Sequence, residues 1–105
     1  MIEVKVVKVK EAIKEIEVNG HSGYDELGKD IVCSAVSTAM FMTVGLLEKF
    51  ESKIKFSANE KKPLMKLEIL ENNKSTDLVL LNLVDTIEGI VYDYSDYVKI
   101  REIRR

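Results

Sequence analysis

From Asp30 onward the apolar residues of this 105-residue chain recur at helical spacing, and that segment limits the fold more than any other feature. One row runs Ile31, Ala35, Ala39, Met42, Leu46, and a second runs Val32, Val36, Met40, Leu47. Together they form a wide apolar face with a period near 3.6, which predicts a helix that lies centrally and packs on a sheet. Ser34, Ala35, Ser37 and Ala39 are small enough to let neighbours approach closely. Glu48-Lys49 and Glu51-Ser52-Lys53 mark its end. The run from Ile31 to Leu47 falls short of the roughly 20 residues of a membrane span. Ser34, Ser37 and Thr38 interrupt it, and Asp30 and Glu48 bound it.

The flanking segments alternate instead. Ile2, Val4 and Val6 face one way and Val7 and Val9 the other, so a strand with a bulge or change of face near Val6-Val7 is expected. After a turn at Lys10-Glu11-Ala12, Ile16 and Val18 alternate with Glu15 and Glu17 as the return strand. Asn19-Gly20, a pair suited to positive φ, ends it. Ile54 and Phe56 mark a short strand, Asn59 to Pro63 a turn, and Leu64 to Leu70 another strand. Ser75 or Thr76 is the expected N-cap of a second helix with the stripe Leu80, Leu83, Val84, Ile87, Ile90, Val91, Tyr94. Tyr97 to Ile103 alternates again. The order β-β-α-β-β-α-β defines an α+β fold: a single domain over residues 1–105, with a mixed or antiparallel sheet and two helices.

Composition narrows the chemistry. A formal charge of -2 leaves no general basic field for a nucleic-acid backbone, and the cluster Lys99, Arg101, Arg104, Arg105 reads as a charged edge strand. One cysteine permits no internal disulfide or CxxC pair, and one histidine beside it makes a protein-only zinc site poorly supplied with ligands. No cofactor is expected. Met1 to Lys10 alternates apolar and charged residues, unlike a signal-peptide core, and the cytosol is the expected compartment.

The single histidine and single cysteine both fall between Gly20 and Cys33, with three of the five glycines (Gly20, Gly23, Gly28) as candidate loop hinges. With a helix starting near Asp30, Cys33 sits in its first turn, where unpaired N–H groups and the macrodipole favour a thiolate. Lys29 adds positive potential. His21 is the one imidazole available as general base and later as acid. Asp30, Cys33 and Ser37 share a helix face, so Asp30 could orient the imidazole or hold it cationic, and Ser37 could hydrogen-bond a catalytic group. Asp30 would also oppose a thiolate at Cys33 by like-charge repulsion. Blander readings stand beside these. A lone helical cysteine is usually packing, Asp30 fits an N-cap, and Ser37 can bond back to its own helix. Tyr92, Tyr94 and Tyr97 read as core or sheet-edge aromatics, and Met40 and Met42 as core fillers.

The stretch Gly20-His21-Ser22-Gly23-Tyr24, then Gly28, then Asp30-Ile31-Val32-Cys33-Ser34-Ala35-Val36-Ser37 resembles the ribosomal-processing cysteine proteases. Ser22 and Ser34 stand where alanine is common in that family. The resemblance implies His21 and Cys33 as the catalytic dyad, with Asp30 and Ser37 as further motif residues. It also implies a homodimeric α/β sandwich whose glycine-rich loop covers the site, with His21 beyond hydrogen-bond reach of Cys33 until the loop closes. The implied substrate is the N-terminal extension of a large-subunit ribosomal protein precursor, cut after an aromatic residue and before a small one. The alternative is a non-enzymatic peptide-binding or ribosome-associated module that clasps a peptide with the same loop. Direct binding of nucleic acid, through the last strand, is not expected of so acidic a chain.

Overall fold

The computed structural model of the chain describes residues 1–21, 23–26, 30–59 and 61–105. Its elements follow the expected order: β1 Ile2–Val9, β2 Ala12–Asn19, α1 Ile31–Lys49, β3 Ile54–Asn59, β4 Leu64–Ile69, α2 Lys74–Asp93 and β5 Val98–Arg104. The strands form one sheet in the order β3-β4-β2-β1-β5. β5 pairs with β1 in parallel, with Ile2 opposite Val98, and the other three pairings are antiparallel, so the sheet is mixed.

Alternation along the strands sorts the two faces of the sheet. Ile2, Val4, Val6, Ile16, Val18, Leu67 and Ile69 pack with Val32, Val36, Met40 and Leu47 of α1 and Leu80, Leu83 and Ile87 of α2 in one core. Between them on the strands, charged residues pair across neighbours. Lys5 reaches Glu17 at 2.9 Å, Lys66 reaches Glu15 at 3.4 Å and Lys99 reaches Glu3 at 3.3 Å. Exposed pairs of this kind add little stability each, but they keep that face wet and free of apolar patches. The basic C-terminal cluster is accordingly the charged edge strand expected.

Local details refine the expectations. Val6 and Val7 are both buried, and the β1–β2 register shifts between Val7 and Lys8. The hairpin turns on Lys10 and Glu11, at φ 51° and 69°. Both φ are positive, as the twist of a two-residue hairpin demands, although neither residue is the glycine or asparagine that usually supplies them. The N-cap of α2 is Asn73, not Ser75 or Thr76. Asn73 Oδ1 accepts the Thr76 N–H at 3.0 Å, and Thr76 Oγ1 accepts the Asn73 N–H at 2.8 Å. This reciprocal box satisfies two otherwise orphaned donors, which places Thr76 inside the first turn.

Only one of the two apolar rows of α1 enters the core. Val32, Val36, Met40 and Leu47 are buried, whereas Ile31, Ala35, Met42 and Leu46 are exposed and only Ala39 of that row is half-buried. Met42, expected as a core filler, is 72% exposed. Tyr92, expected in the core or at a sheet edge, is likewise solvent-exposed because it lies on the outer side of α2's last turn. Tyr94 and Tyr97 do pack against the core.

Candidate active site

Gly20 ends β2 with φ 98°, a conformation that favours glycine, and its N–H donates to the Pro63 carbonyl at 2.9 Å. That bond ties the exit of β2 to the β3–β4 turn. A Cβ at Gly20 would also collide with the carbonyl of Met1. His21 leaves the sheet from this pinned position and is exposed. On the other side, Asp30 caps α1, with its Oδ1 accepting the Cys33 N–H at 2.9 Å and its backbone carbonyl accepting the Ser34 N–H at 3.0 Å. The capping role weighed for Asp30 in the sequence is thus the one its carboxylate fills at the helix, and Asp30 itself is buried.

Cys33 sits in the first turn of α1, as expected, and is half-buried. His21, Cys33 and Ser37 line one cavity of about 180 Å³, walled mainly by apolar side chains including Ile2, Val18, Val36, Leu64 and Met65. The only imidazole and the only thiol of the chain therefore open onto the same space. Among the described residues no hydrogen bond joins them. Gly20 and Gly23 have positive φ, at 98° and 74°. Gly28, the third expected hinge, lies outside the described residues together with Ser22, Leu27 and Lys29.

The surroundings of Cys33 work against the expected thiolate. Burial pushes the Cys33 thiol above its ordinary range, and the Asp30 carboxylate pushes it further, while a hydrogen bond with Ser37 pulls the other way without prevailing. The physical reason is that desolvation and a neighbouring anion both penalise a second negative charge. Both effects act against the ionisation that the helix entrance favours.

One residue of the motif has a role that spacing did not reveal. The ring of Tyr24 meets Tyr94 edge-on at 5.7 Å and Tyr97 at 5.2 Å, anchoring the loop after His21 to the junction of α2 and β5. Such pairs contribute about 0.5–1.5 kcal/mol each beyond area burial. Tyr97 in turn accepts the Ile2 N–H at 2.9 Å, and Ile2 lines the cavity, so the loop anchor and the site share a frame. The signal available in the sequence was the tyrosine of the motif itself, but its partners lie some 70 residues away in the chain.

Comparison with known proteins bears on this geometry. Residues 1–99 match the family described as cysteine protease Prp. The chain is 26% identical over 97 residues to the ribosomal processing cysteine protease Prp of Mycoplasma genitalium, covering 92% of this chain and 96% of that one. Its fold is similar to the crystal structure of an essential ribosomal processing protease Prp from S. aureus with a covalently linked product peptide. That match has a TM-score of 0.92 at 20% identity, over 97% of this chain and 99% of that one. It is also similar to the crystal structure of SMU.848 from Streptococcus mutans, with a TM-score of 0.89 at 24% identity, over 100% of this chain and 96% of that one.

Proposed function

This chain belongs to the cysteine protease Prp family, and from that footing we propose that it removes the N-terminal extension of a large-subunit ribosomal protein precursor, with Cys33 as nucleophile and His21 as general base and acid. With the family established, the reading as a non-enzymatic binding module gives way. The observation that carries the proposal is the shared cavity: the sole thiol and sole imidazole face one apolar space at the start of α1.

The chemistry follows from the state of the sulfur. A protonated thiol is a weak nucleophile, so activation waits for the imidazole to arrive. A bound peptide that draws the loop inward brings His21 to Cys33, and the imidazole takes the thiol proton as sulfur attacks the scissile carbonyl carbon. The tetrahedral adduct collapses with cleavage of the C–N bond, and the imidazolium gives its proton to the departing amine. Water, deprotonated by the same imidazole, then hydrolyses the thioester and regenerates the thiol. Ser37, beside the sulfur, stabilises negative charge there. The apolar walls suit an apolar side chain next to the cut, as cleavage after an aromatic residue requires. Because a resting thiol is inert, a loop that closes only over a proper peptide adds selectivity.

The family resemblance also carries a homodimer, supported by the uncovered apolar side of α1 and α2, where Phe41, Met42, Leu46, Phe50, Leu78 and Leu81 are at least two-fifths exposed. The cytosol, where ribosomal precursors are made, is the proposed compartment.

The test is incubation of purified protein with the host's own ribosomal protein precursor, beside Cys33→Ala and Cys33→Ser. Wild type should release the extension, and both variants should keep the wild-type circular dichroism spectrum with cleavage reduced at least about 10³-fold, as for loss of a nucleophile. Equal cleavage by Cys33→Ala would end the assignment.

A further inference from the structure

β3 is the outermost strand on one side of the sheet, bonded to β4 alone. The Leu70 N–H donates to the Lys53 carbonyl at 2.9 Å, and the β3–β4 register places Lys55 opposite Glu68 and Ser57 opposite Lys66. Antiparallel alternation then directs the peptide groups of Lys55 and Ser57 toward β4 and those of Phe56 and Ala58 to the open edge. The side chains of Phe56 and Ala58 lie on the α1 side. The Phe56 ring meets Phe41 at 5.8 Å, and Ala58 lines the cavity with Cys33. On α1, Cys33, Ser37 and Phe41 follow one another at four-residue steps, so this row of the helix runs beside the same strand. A shallower hollow of about 510 Å³, lined by Ser57, Ala58, Asn59, Lys61 and Leu64, continues the cavity outward along the strand end.

We propose that the substrate binds as an added strand on the edge of β3, pairing with the outward peptide groups of Phe56 and Ala58, which feeds its scissile bond toward Cys33. This rests on the proteolytic reading above and specifies how the peptide is held. Main-chain pairing holds an extended segment irrespective of most of its side chains, and a pocket at one position supplies selectivity. An edge of this kind is ordinarily blunted by charge. Lys53 and Lys55 do so at the start of β3, whereas the stretch Phe56-Ser57-Ala58-Asn59, which reaches the cavity, carries no charge.

The experiment uses the precursor-derived peptide with single backbone N-methyl groups placed along it, and amide hydrogen exchange of the Cys33→Ala protein with and without the unmodified peptide. On the strand side, N-methylation should lower kcat/KM at least about tenfold at every second position and less than about twofold between them. Amides of Phe56 and Ala58 should exchange readily in the free protein and slow at least about tenfold with peptide, while Lys55 and Ser57 are slow throughout. If the unmodified peptide is cleaved without this alternation, or if Phe56 and Ala58 gain no protection, edge pairing is overturned and the protease assignment stands. If Phe56 and Ala58 are protected without peptide in proportion to protein concentration, the edge belongs to contacts between copies and the proposal fails. If wild type does not cleave the unmodified peptide, the protease reading itself falls and takes the edge proposal with it.

Discussion

The carboxylate of Asp30 holds the Cys33 N–H while its charge opposes ionisation of the Cys33 sulfur, and two substitutions separate these effects. Asparagine caps a helix about as well as aspartate but carries no charge, whereas alanine loses both. Asp30→Asn should leave the urea midpoint almost unchanged, and Asp30→Ala should cost about 1 kcal/mol. Iodoacetamide reads the thiolate directly. For wild type the pH midpoint of alkylation should lie above that of free cysteine, because raised ionisation means less thiolate at any given pH below it. Asp30→Asn should move the midpoint down, short of the free-cysteine value, since burial, the larger cause, remains. Superimposable pH profiles for Asp30→Asn and wild type would remove Asp30 as a cause. At this scale the candidates were readable in the chain, because it holds a single thiol and a single imidazole, and the two line one cavity. The upward push on the Cys33 thiol was not. Position in a helix's first turn is local information, but the burial that overrides it comes from a wall including Ala58, Leu64 and Met65, a contribution that no spacing around Cys33 encodes.

Among elements, the exit of β2 sets where the imidazole leaves the sheet. Gly20 is fixed there by its positive φ, by the bond to Pro63 and by the Met1 carbonyl against its α-carbon. Gly20→Ala should destabilise the protein by about 1–3 kcal/mol from backbone strain alone. Because the collision is with main chain, the start of β1 must also shift, and Ile2 in the cavity wall with it. Urea denaturation should therefore show a lower midpoint with an unchanged slope, and cleavage should fall further than the unfolded fraction accounts for. A variant within about 0.5 kcal/mol of wild type would mean the turn relaxes freely, since surface changes without such constraints fall in that range. The Asn19-Gly20 turn was legible because glycine advertises its conformation. The Lys10-Glu11 turn, with two positive φ values on ordinary side chains, was legible only as a gap in alternation. Element order followed from changes of period, but the parallel union of β1 with β5 pairs residues more than ninety apart, and periodicity carries no register between distant strands.

Over the whole molecule the surplus apolar character of α1 requires a cover. Although the apolar run read from the sequence falls short of a span, the helix Ile31–Lys49 is long and apolar enough, by length and composition, to cross a membrane, with mean hydropathy 1.7. Yet one of its rows is already committed to the core. What remains outside is a groove of about 920 Å³ between α1 and α2, lined by Phe41, Met42, Leu46, Phe50, Leu78 and Val79 among others, with Lys49 as its one charged residue. The opposite face of the molecule is the ion-paired side of the sheet. The proposed homodimer would cover this patch with its own copy about a two-fold axis. Sedimentation equilibrium at tens of micromolar should accordingly give twice the monomer mass of 12.0 kDa for wild type. Met42→Glu should shift the protein to monomer. Met42 is 72% exposed in the single chain, so its replacement leaves the core of the protomer whole, and the far-ultraviolet spectrum should be retained. A buried glutamate facing its symmetry mate would carry two desolvated like charges, enough to weaken association by several orders of magnitude. A monomeric wild type, or a Met42→Glu variant that dimerises as tightly as the parent, would place the partner of this face elsewhere.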